Sequence, residues 1–264
     1  MDFKFLIIFL LPVLAGATYF FLALEARRTS KFRSMMFGEI SFRKIEIAFV
    51  MFGIYFITRP LQNILGPHPF PLIINCVRQF FLMAIIAPSI LIAIFHWAPT
   101  PSGAPRSIKF ATYTIGCLMG IVFVLLNSTV VTKSKLLSTW LGVNLYDPVW
   151  FESVSPQIQL IWIHLICQFV SPVGFLLLAA AYVRHRRHNY QLANIYNLIP
   201  TKWRYLEASL VIFACSFMVA GIAVICGTYY TYVWSIYFIG AIISGIFEMV
   251  NIKLPPRKNP KDLQ

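Results

Sequence analysis

Long apolar segments separated by short polar connections run through the whole chain. Each apolar segment holds about 20 residues, the length at which an α-helix crosses a hydrocarbon core of about 30 Å. The pattern predicts an all-α integral membrane protein, a seven-transmembrane-helix bundle in which residues 1–250 form a single domain and 251–264 form a basic cytoplasmic tail. The predicted spans are approximately 3–24, 47–65, 72–95, 110–130, 157–183, 206–227 and 231–250.

The first apolar segment is predicted to be a retained helix rather than a cleaved signal peptide. Residues 15–17 resemble a cleavage site, but the apolar run continues to Leu24. A signal peptide begins with a basic region, whereas here Asp2 accompanies Lys4 at the start of the chain. We therefore count this segment among the membrane spans.

The basic residues are concentrated in alternate connections. Most of the 22 Lys and Arg residues fall on one side of the predicted bundle, in 25–46, 96–109, 184–205 and the tail. Connections that are rich in Lys and Arg stay on the cytoplasmic side of a membrane. We expect the N-terminus outside and the C-terminus in the cytoplasm, in a multi-pass protein of the bacterial inner (plasma) membrane.

The composition narrows the class of protein further. Hydrophobic residues make up 59% of the chain and charged residues 12%, against roughly 45–50% and about 25% in a soluble domain. These values exclude a soluble globule, and an aromatic content of 16% excludes a disordered chain. The net charge of +13 is explained by cytoplasmic connections that contact a lipid bilayer with anionic headgroups, so no nucleic-acid partner is predicted.

Two long connections carry apolar residues at helical spacing. In the outer connection 131–156, the apolar residues of 136–141 predict a short helix that lies in the interface or covers the bundle. In the inner connection 184–205, a basic cluster followed by apolar residues predicts an interfacial amphipathic helix. A solvated loop is the alternative for the inner connection.

Prolines and small residues inside the spans predict local features of the helices. The prolines predicted to kink the first, second, third and fifth spans are Pro12, Pro60, Pro88 and Pro172. Small residues spaced four apart mark close approach of helices, either within the bundle or at an oligomer contact. They are Gly116 and Gly120 in the fourth span, and Gly240, Ala241, Ser244 and Gly245 in the seventh.

Two arginines lie inside the predicted spans, where a charge costs several kcal/mol unless it is paired or hydrated. Arg59 precedes the outer end of the second span, and Arg78 follows the outer start of the third by a similar number of residues. Because a short turn joins these antiparallel helices, both guanidinium groups are expected at a similar depth in the outer leaflet.

Polar residues of four spans are predicted at the depth of the two arginines. Guanidinium groups bind carboxylates and phosphates well, so the pattern predicts a site for a small anionic or amphiphilic ligand. The predicted ligand-binding residues are Arg59, Arg78, Gln62, Asn75, Gln79, Asn127, Gln159 and His164. The alternative is structural: each arginine reaches the interface or pairs with Asp147 or Glu152, and so pins the long outer connection across the bundle.

No cofactor is predicted from the sequence. Haem b needs two axial histidines at one level, and His96 and His164 fall at different depths, so haem b or a pigment remains the weaker alternative. The five cysteines lack a CxxC spacing and are expected to be small buried side chains rather than metal ligands or disulfides. Glu248, near the inner end of the seventh span, is a secondary candidate for proton coupling.

Sequence motifs exclude several functional classes. The last span has no lysine for a retinal Schiff base, and the chain has no P-loop and no HExxH motif. The leading hypothesis is a non-enzymatic protein of receptor or sensory-input type that signals through a membrane or cytoplasmic protein partner. The alternatives are an accessory or scaffold subunit of a larger membrane complex, with protein, lipid or pigment contacts, and then a small transporter.

Overall fold

The computed structural model describes residues 3–37, 39–67, 69–97, 105–130, 134–140, 142–148, 165–192, 199–225 and 231–253. Within these residues, seven helices are long and apolar enough to cross a membrane, as the sequence predicts. In chain order they are the first span, Phe3–Phe5, Leu6–Leu10 and Leu11–Phe37; the second, Glu39–Ile64; the third, Phe70–Phe81, Leu82–Ile86 and Ala87–Trp97; the fourth, Arg106–Val130; the fifth, Phe169–Val173 and Gly174–Leu192; the sixth, Ile199–Ile225; and the seventh, Thr231–Lys253. The predicted start of the fifth span, 157–164, lies outside the described residues.

Three of the four prolines inside spans lie beside or within a π-helical turn. The turns are Leu6–Leu10, Leu82–Ile86 and Phe169–Val173, which adjoin or contain Pro12, Pro88 and Pro172. Proline has no N–H, so the carbonyl four residues before it loses its donor, and the helix adapts by widening locally. The fourth proline, Pro60, lies within a continuous α-helix.

Aromatic side chains from four spans fill the centre of the bundle. The first span packs against the second and the seventh, and the sixth packs against the fifth and the seventh. Where these helices meet, the ring centroid of Phe52 lies 5.1 Å from that of Tyr19 and 5.2 Å from that of Phe213. The Phe213 and Tyr237 rings stack with centroids 5.9 Å apart. Ring pairs at these separations add to the stability gained by burial.

The small residues of the fourth and seventh spans are used inside the bundle. A Cβ atom at Gly116 would collide with the Met83 carbonyl oxygen of the third span, and one at Gly245 would lie 2.6 Å from Thr18 Cγ2 of the first span. A Cβ at Gly240 would collide with Ser216. These contacts favour close packing within the bundle over an oligomer contact at the same residues.

The predicted short helix at 136–141 is wrong, because this segment belongs to a β-hairpin. Strands Ser134–Trp140 and Val143–Pro148 pair antiparallel, with Thr139 opposite Asn144. Gly142 at the turn has φ +78°, a conformation that glycine adopts without strain. The apolar residues of this segment have a helical spacing, but apolar residues of a twisted two-stranded hairpin can also pack against the bundle. The spacing alone therefore does not distinguish a helix from a strand here.

The hairpin packs against one end of the bundle, which is called the hairpin end below. Leu145 is fully buried against Phe5 and Ile8 of the first span, and Leu137 packs against the same cluster. The side chain of Asn63, near the end of the second span, donates a hydrogen bond of 2.6 Å to the Tyr146 carbonyl. The hairpin thus covers the ends of the first two spans.

At the opposite end, several helices continue beyond the predicted spans. The first helix extends to Phe37, and the fifth extends without a break to Leu192. The basic cluster at 184–188 therefore belongs to the helix of the fifth span, and the prediction that it starts a separate interfacial helix is wrong. A 2.7 Å ion pair between Arg187 and Glu207 ties this extension to the sixth span. Residues 193–198 lie outside the described part of the chain.

Candidate functional site

Arg78 of the third span is buried against the second span and bound to it by several hydrogen bonds. Its Nε donates to the Tyr55 carbonyl and to Thr58 Oγ1, both at 3.1 Å. Its Nη2 donates to the same Tyr55 carbonyl at 2.8 Å, and its Nη1 donates to Gln62 Oε1 at 2.9 Å. The guanidinium carbon also lies 4.5 Å from the centre of the Tyr55 ring.

Helical periodicity brings these partners together. In the second span, Tyr55, Thr58 and Gln62 follow one another at intervals of three and four residues, which places them on one face. Pro60 cannot donate to the Phe56 carbonyl, so the hydrogen-bond ladder is interrupted next to Tyr55. A carbonyl beside such an interruption can tilt away from the helix axis and accept from another helix. The local sequence thus prepares an acceptor for the arginine.

Arg59 is also buried, but it faces a different neighbour. Its guanidinium carbon lies 5.6 Å from the centre of the Trp234 ring in the seventh span. Arg59 and Arg78 thus contact different spans, the seventh and the second. Their similar depth in a membrane stays a prediction. The interaction with Trp234 helps to offset the cost of burying the charge.

Amide side chains of the second, third and fourth spans retain unused hydrogen-bonding capacity. Gln79 Nε2 lies 3.3 Å from the Tyr55 hydroxyl, to which it donates, and Asn127 Nδ2 donates to the Phe123 carbonyl at 2.9 Å. Four buried amide atoms have no hydrogen-bond partner among the described residues: Gln62 Nε2, Asn75 Nδ2, Gln79 Oε1 and Asn127 Oδ1. Buried polar atoms normally find a partner, so water or a ligand is expected beside them.

The structure describes six of the eight predicted ligand-binding residues. Arg78 and Gln62 are directly bonded, and Gln79 joins them through Tyr55. Asn75 and Asn127 are buried in the third and fourth spans, which pack against each other. Arg59 lies beside this group, whereas Gln159 and His164 lie outside the described residues. We call the set Gln62, Asn75, Arg78, Gln79 and Asn127 the Arg78 cluster.

Sequence reasoning missed three partners of the arginines. Tyr55 contributes a carbonyl, a hydroxyl and a ring, Thr58 contributes a hydroxyl, and Trp234 contributes the ring over Arg59. The spacing of Tyr55 and Thr58 relative to Gln62 could have indicated the first two. A backbone carbonyl and the face of an aromatic ring cannot be recognised from the positions of polar side chains. The pattern of polar residues therefore did not indicate these partners.

The alternative in which an arginine pairs with Asp147 or Glu152 stays a prediction, because the structure does not describe the Asp147 side chain. None of the carboxylates whose side chains the structure describes forms an ion pair with Arg78. The hairpin that contains Asp147 is bound to the second span by the hydrogen bond from Asn63 to the Tyr146 carbonyl. Glu152 lies outside the described residues.

Neither metal-binding groups nor similarity to known proteins identifies the function of this site. The described residues contain no group of three or more His, Cys, Asp or Glu side chains that could hold a metal ion. Comparison with protein-family models, with curated proteins and with solved structures found no match to this chain. The site therefore has to be interpreted from its own chemistry.

Proposed function

We propose that this chain is a non-enzymatic receptor or sensory-input protein that binds a small anionic or amphiphilic ligand at the Arg78 cluster. The observation that carries the proposal is the buried guanidinium of Arg78, which is 6% exposed and forms no ion pair with any carboxylate among the described side chains. Neutral carbonyl, hydroxyl and amide groups hold Arg78 in place but do not neutralise its charge. An anion bound nearby would offset the remaining cost of burial.

The unpartnered amide atoms indicate how such an anion would be held. Gln62 and Asn75 each retain an N–H donor suited to a carboxylate or phosphate oxygen. Gln79 and Asn127 retain carbonyl oxygens, which would accept from a hydroxyl or amide of the same ligand or from a bridging water. A ligand with an acidic group and a nearby donor therefore matches the cluster.

The distribution of charge supports an orientation in which the hairpin end faces outside. Basic side chains described near the opposite end include Arg27, Arg28, Arg184, Arg186 and Arg187. By the positive-inside rule, we infer that this end faces the cytoplasm, and we propose a bacterial inner membrane as its location. A ligand would enter from outside, and the signal would leave through a protein partner at the basic end.

The proposal is tested by identifying what the protein carries out of its native membrane. The wild-type chain and an Arg78→Gln variant would be purified in mild detergent, and bound small molecules would be identified by mass spectrometry. An acidic compound present with the wild type and depleted in the variant supports the proposal. A folded wild-type protein without any acidic small molecule in stoichiometric amount would count against it.

One observation favours an accessory subunit of a larger membrane complex as a second candidate. In the fourth span only 22% of the membrane-spanning window is buried, against 44% to 61% in the other six. Its exposed side chains include Phe110, Leu118 and Leu125. A partner helix seated there would bring its burial close to that of the other spans. Recovery of a stoichiometric protein partner after mild-detergent purification would support this role, and a clean monomer would oppose it.

A further inference from the structure

A cavity lies between the spans, towards the end of the bundle opposite the hairpin. Thr29, Ile45 and Ile252 border it, and Phe52 and Phe213 lie at its other end. Its free volume is about 70 Å³. A single water needs roughly 10–15 Å³ of such space, so the cavity has room for several waters or for a small organic molecule.

Polar groups occupy one wall of this mostly apolar cavity. Ser244, Glu248 and Asn251 follow at intervals of four and three residues on one face of the seventh span, and Ser209 comes from the sixth. The Ser209 and Ser244 hydroxyl oxygens are 2.9 Å apart, and Asn251 Nδ2 donates to Glu248 Oε2 at 3.2 Å. The cavity thus combines aromatic and aliphatic walls with one polar patch, as small-molecule sites commonly do.

The polar patch contains a carboxyl group that has no cationic partner among the described side chains. Glu248 is 6% exposed, and no Lys, Arg or His among the described residues forms an ion pair with it. Asn251 is 4% exposed, and its Oδ1 has no hydrogen-bond partner among the described residues. A buried carboxyl and a buried amide oxygen side by side call for a group that donates hydrogen bonds, and a cation would also offset the charge of the carboxylate.

We propose that this cavity is a second binding site, which takes a small amphiphile with a protonated amine. The ammonium would donate to Glu248 and to Asn251 Oδ1, and a short hydrocarbon part would lie among the aromatic side chains of Phe52 and Phe213. This site is separate from the Arg78 cluster in position and opposite to it in charge preference. The inference therefore stands on Glu248 and its cavity, independently of the function proposed for the Arg78 cluster.

The test uses hexylamine as the probe, with hexan-1-ol and hexanoate as controls of equal chain length. The full chain would be held in nanodiscs of phosphatidylcholine and phosphatidylglycerol, which contain no primary amine. Thermal unfolding would be followed while each probe is titrated. We expect hexylamine to raise the Tm saturably, and Glu248→Gln to weaken its apparent affinity by about tenfold or more through loss of the charged partner.

Matched variants separate the site from general effects of charge. Glu207→Gln removes an acidic group at the same end of the bundle but outside the cavity, and it should leave the hexylamine affinity unchanged. Ala48→Leu should reduce hexylamine binding by filling the cavity while Glu248 stays in place. The hexanoate response, whatever its size, should be the same in the wild type and in Glu248→Gln.

Three results would overturn the proposal. They are the absence of any saturable hexylamine effect on the wild type, an equal effect on the wild type and Glu248→Gln, and an effect of hexan-1-ol as large as that of hexylamine. The last result would assign the cavity to neutral hydroxyl compounds. Because Arg78→Gln should leave hexylamine binding intact, failure at this cavity and failure at the Arg78 cluster give different patterns.

Discussion

Arg78 directs two of its N–H groups at a single backbone oxygen, the carbonyl of Tyr55, from Nε at 3.1 Å and from Nη2 at 2.8 Å. This forked hydrogen bond joins the third span to the second between two buried residues. It explains how the helix pair tolerates a charge inside the bundle. No carboxylate among the described side chains pairs with this positive charge, and the proposed anion site depends on that feature.

Arg78 is expected to stabilise the fold as well as to organise the site. Arg78→Met removes four hydrogen bonds and leaves the Tyr55 carbonyl and Gln62 with fewer partners, at a cost of about 1–3 kcal/mol. The stability of Arg78→Lys should lie between those of the wild type and Arg78→Met, because an ammonium keeps the charge but cannot reproduce the forked hydrogen bond. Thermal unfolding in detergent or nanodiscs measures the order of these three stabilities. Arg184→Gln, at an exposed position, is the control and should stay within about 0.5 kcal/mol of the wild type.

Close packing of the third and fourth spans is expected to depend on Gly116. Gly116→Val would force a side chain against the Met83 carbonyl and Pro88, which should lower stability by about 1–3 kcal/mol. Ile115→Val changes the size of an exposed neighbour on the same helix and should have little effect. Thermal unfolding of both variants checks this. Equal stability of the two variants would mean that the fourth span packs elsewhere.

The hairpin is expected to loosen when its bond to the second span is lost. Asn63→Ala removes the donor to the Tyr146 carbonyl, so amide hydrogens in 134–148 should exchange faster. Hydrogen–deuterium exchange with mass spectrometry reports this segment directly. Leu61→Ala, an exposed change on the same helix, serves as the control. Unchanged exchange in Asn63→Ala would show that apolar contacts through Leu145 suffice to hold the hairpin.

The ion pair between Arg187 and Glu207 is expected to give a small, salt-dependent contribution. Both side chains are about four-fifths buried, and the pair ties the fifth and sixth spans together at 2.7 Å. A double-mutant cycle with Arg187→Gln and Glu207→Gln should give a coupling of about 0.5–1 kcal/mol. At about 1 M NaCl the coupling should shrink, because salt screens the pair. A coupling that is zero at low salt would contradict this reading.

The orientation proposed from the charge distribution is tested by labelling. A cysteine introduced at Ser138 in the hairpin should react with a membrane-impermeant maleimide added outside cells, and one at His188 should react only after the membrane is opened. The unmodified chain, with its own cysteines, gives the baseline. Labelling of the His188 cysteine from outside would invert the orientation.

Sequence patterns predicted the parts of this fold that bilayer physics dictates. Apolar length alone locates the spans, and Pro12, Pro88 and Pro172 mark the helix distortions because a missing N–H has a direct structural consequence. Arg78 was singled out from the sequence for a similar reason, because a charged side chain inside a span is costly unless it is paired or hydrated. These signals are local and need no knowledge of how the helices pack.

Features that depend on contacts between distant segments escaped the sequence patterns. The apolar residues of 136–141 fit a helix as well as a strand, and the pairing across Gly142 decides between them. The Tyr55 carbonyl is a backbone group that any residue could supply. The cavity beside Glu248 exists only because six spans leave space between them, and no pattern within a single span encodes that space.

The central claim is that the Arg78 cluster binds an anion, and it is tested by probe titration. Thermal unfolding of the wild type, Arg78→Gln and Asn127→Leu would be followed with hexanoate and hexyl phosphate. Asn127→Leu removes an unpartnered amide oxygen together with the hydrogen bond from Nδ2 to the Phe123 carbonyl, and it is included because the net loss of stability should not exceed about 1 kcal/mol. Arg184→Gln controls for the loss of one positive charge. Glu248→Gln distinguishes binding at the Arg78 cluster from binding in the cavity beside Glu248.

At least one of the two anions is expected to raise the Tm of the wild type, Arg184→Gln and Glu248→Gln to the same extent. In Arg78→Gln the rise should be lost, and in Asn127→Leu it should be reduced. An equal rise in the wild type and Arg78→Gln, or no rise with either anion in the wild type, would contradict the account.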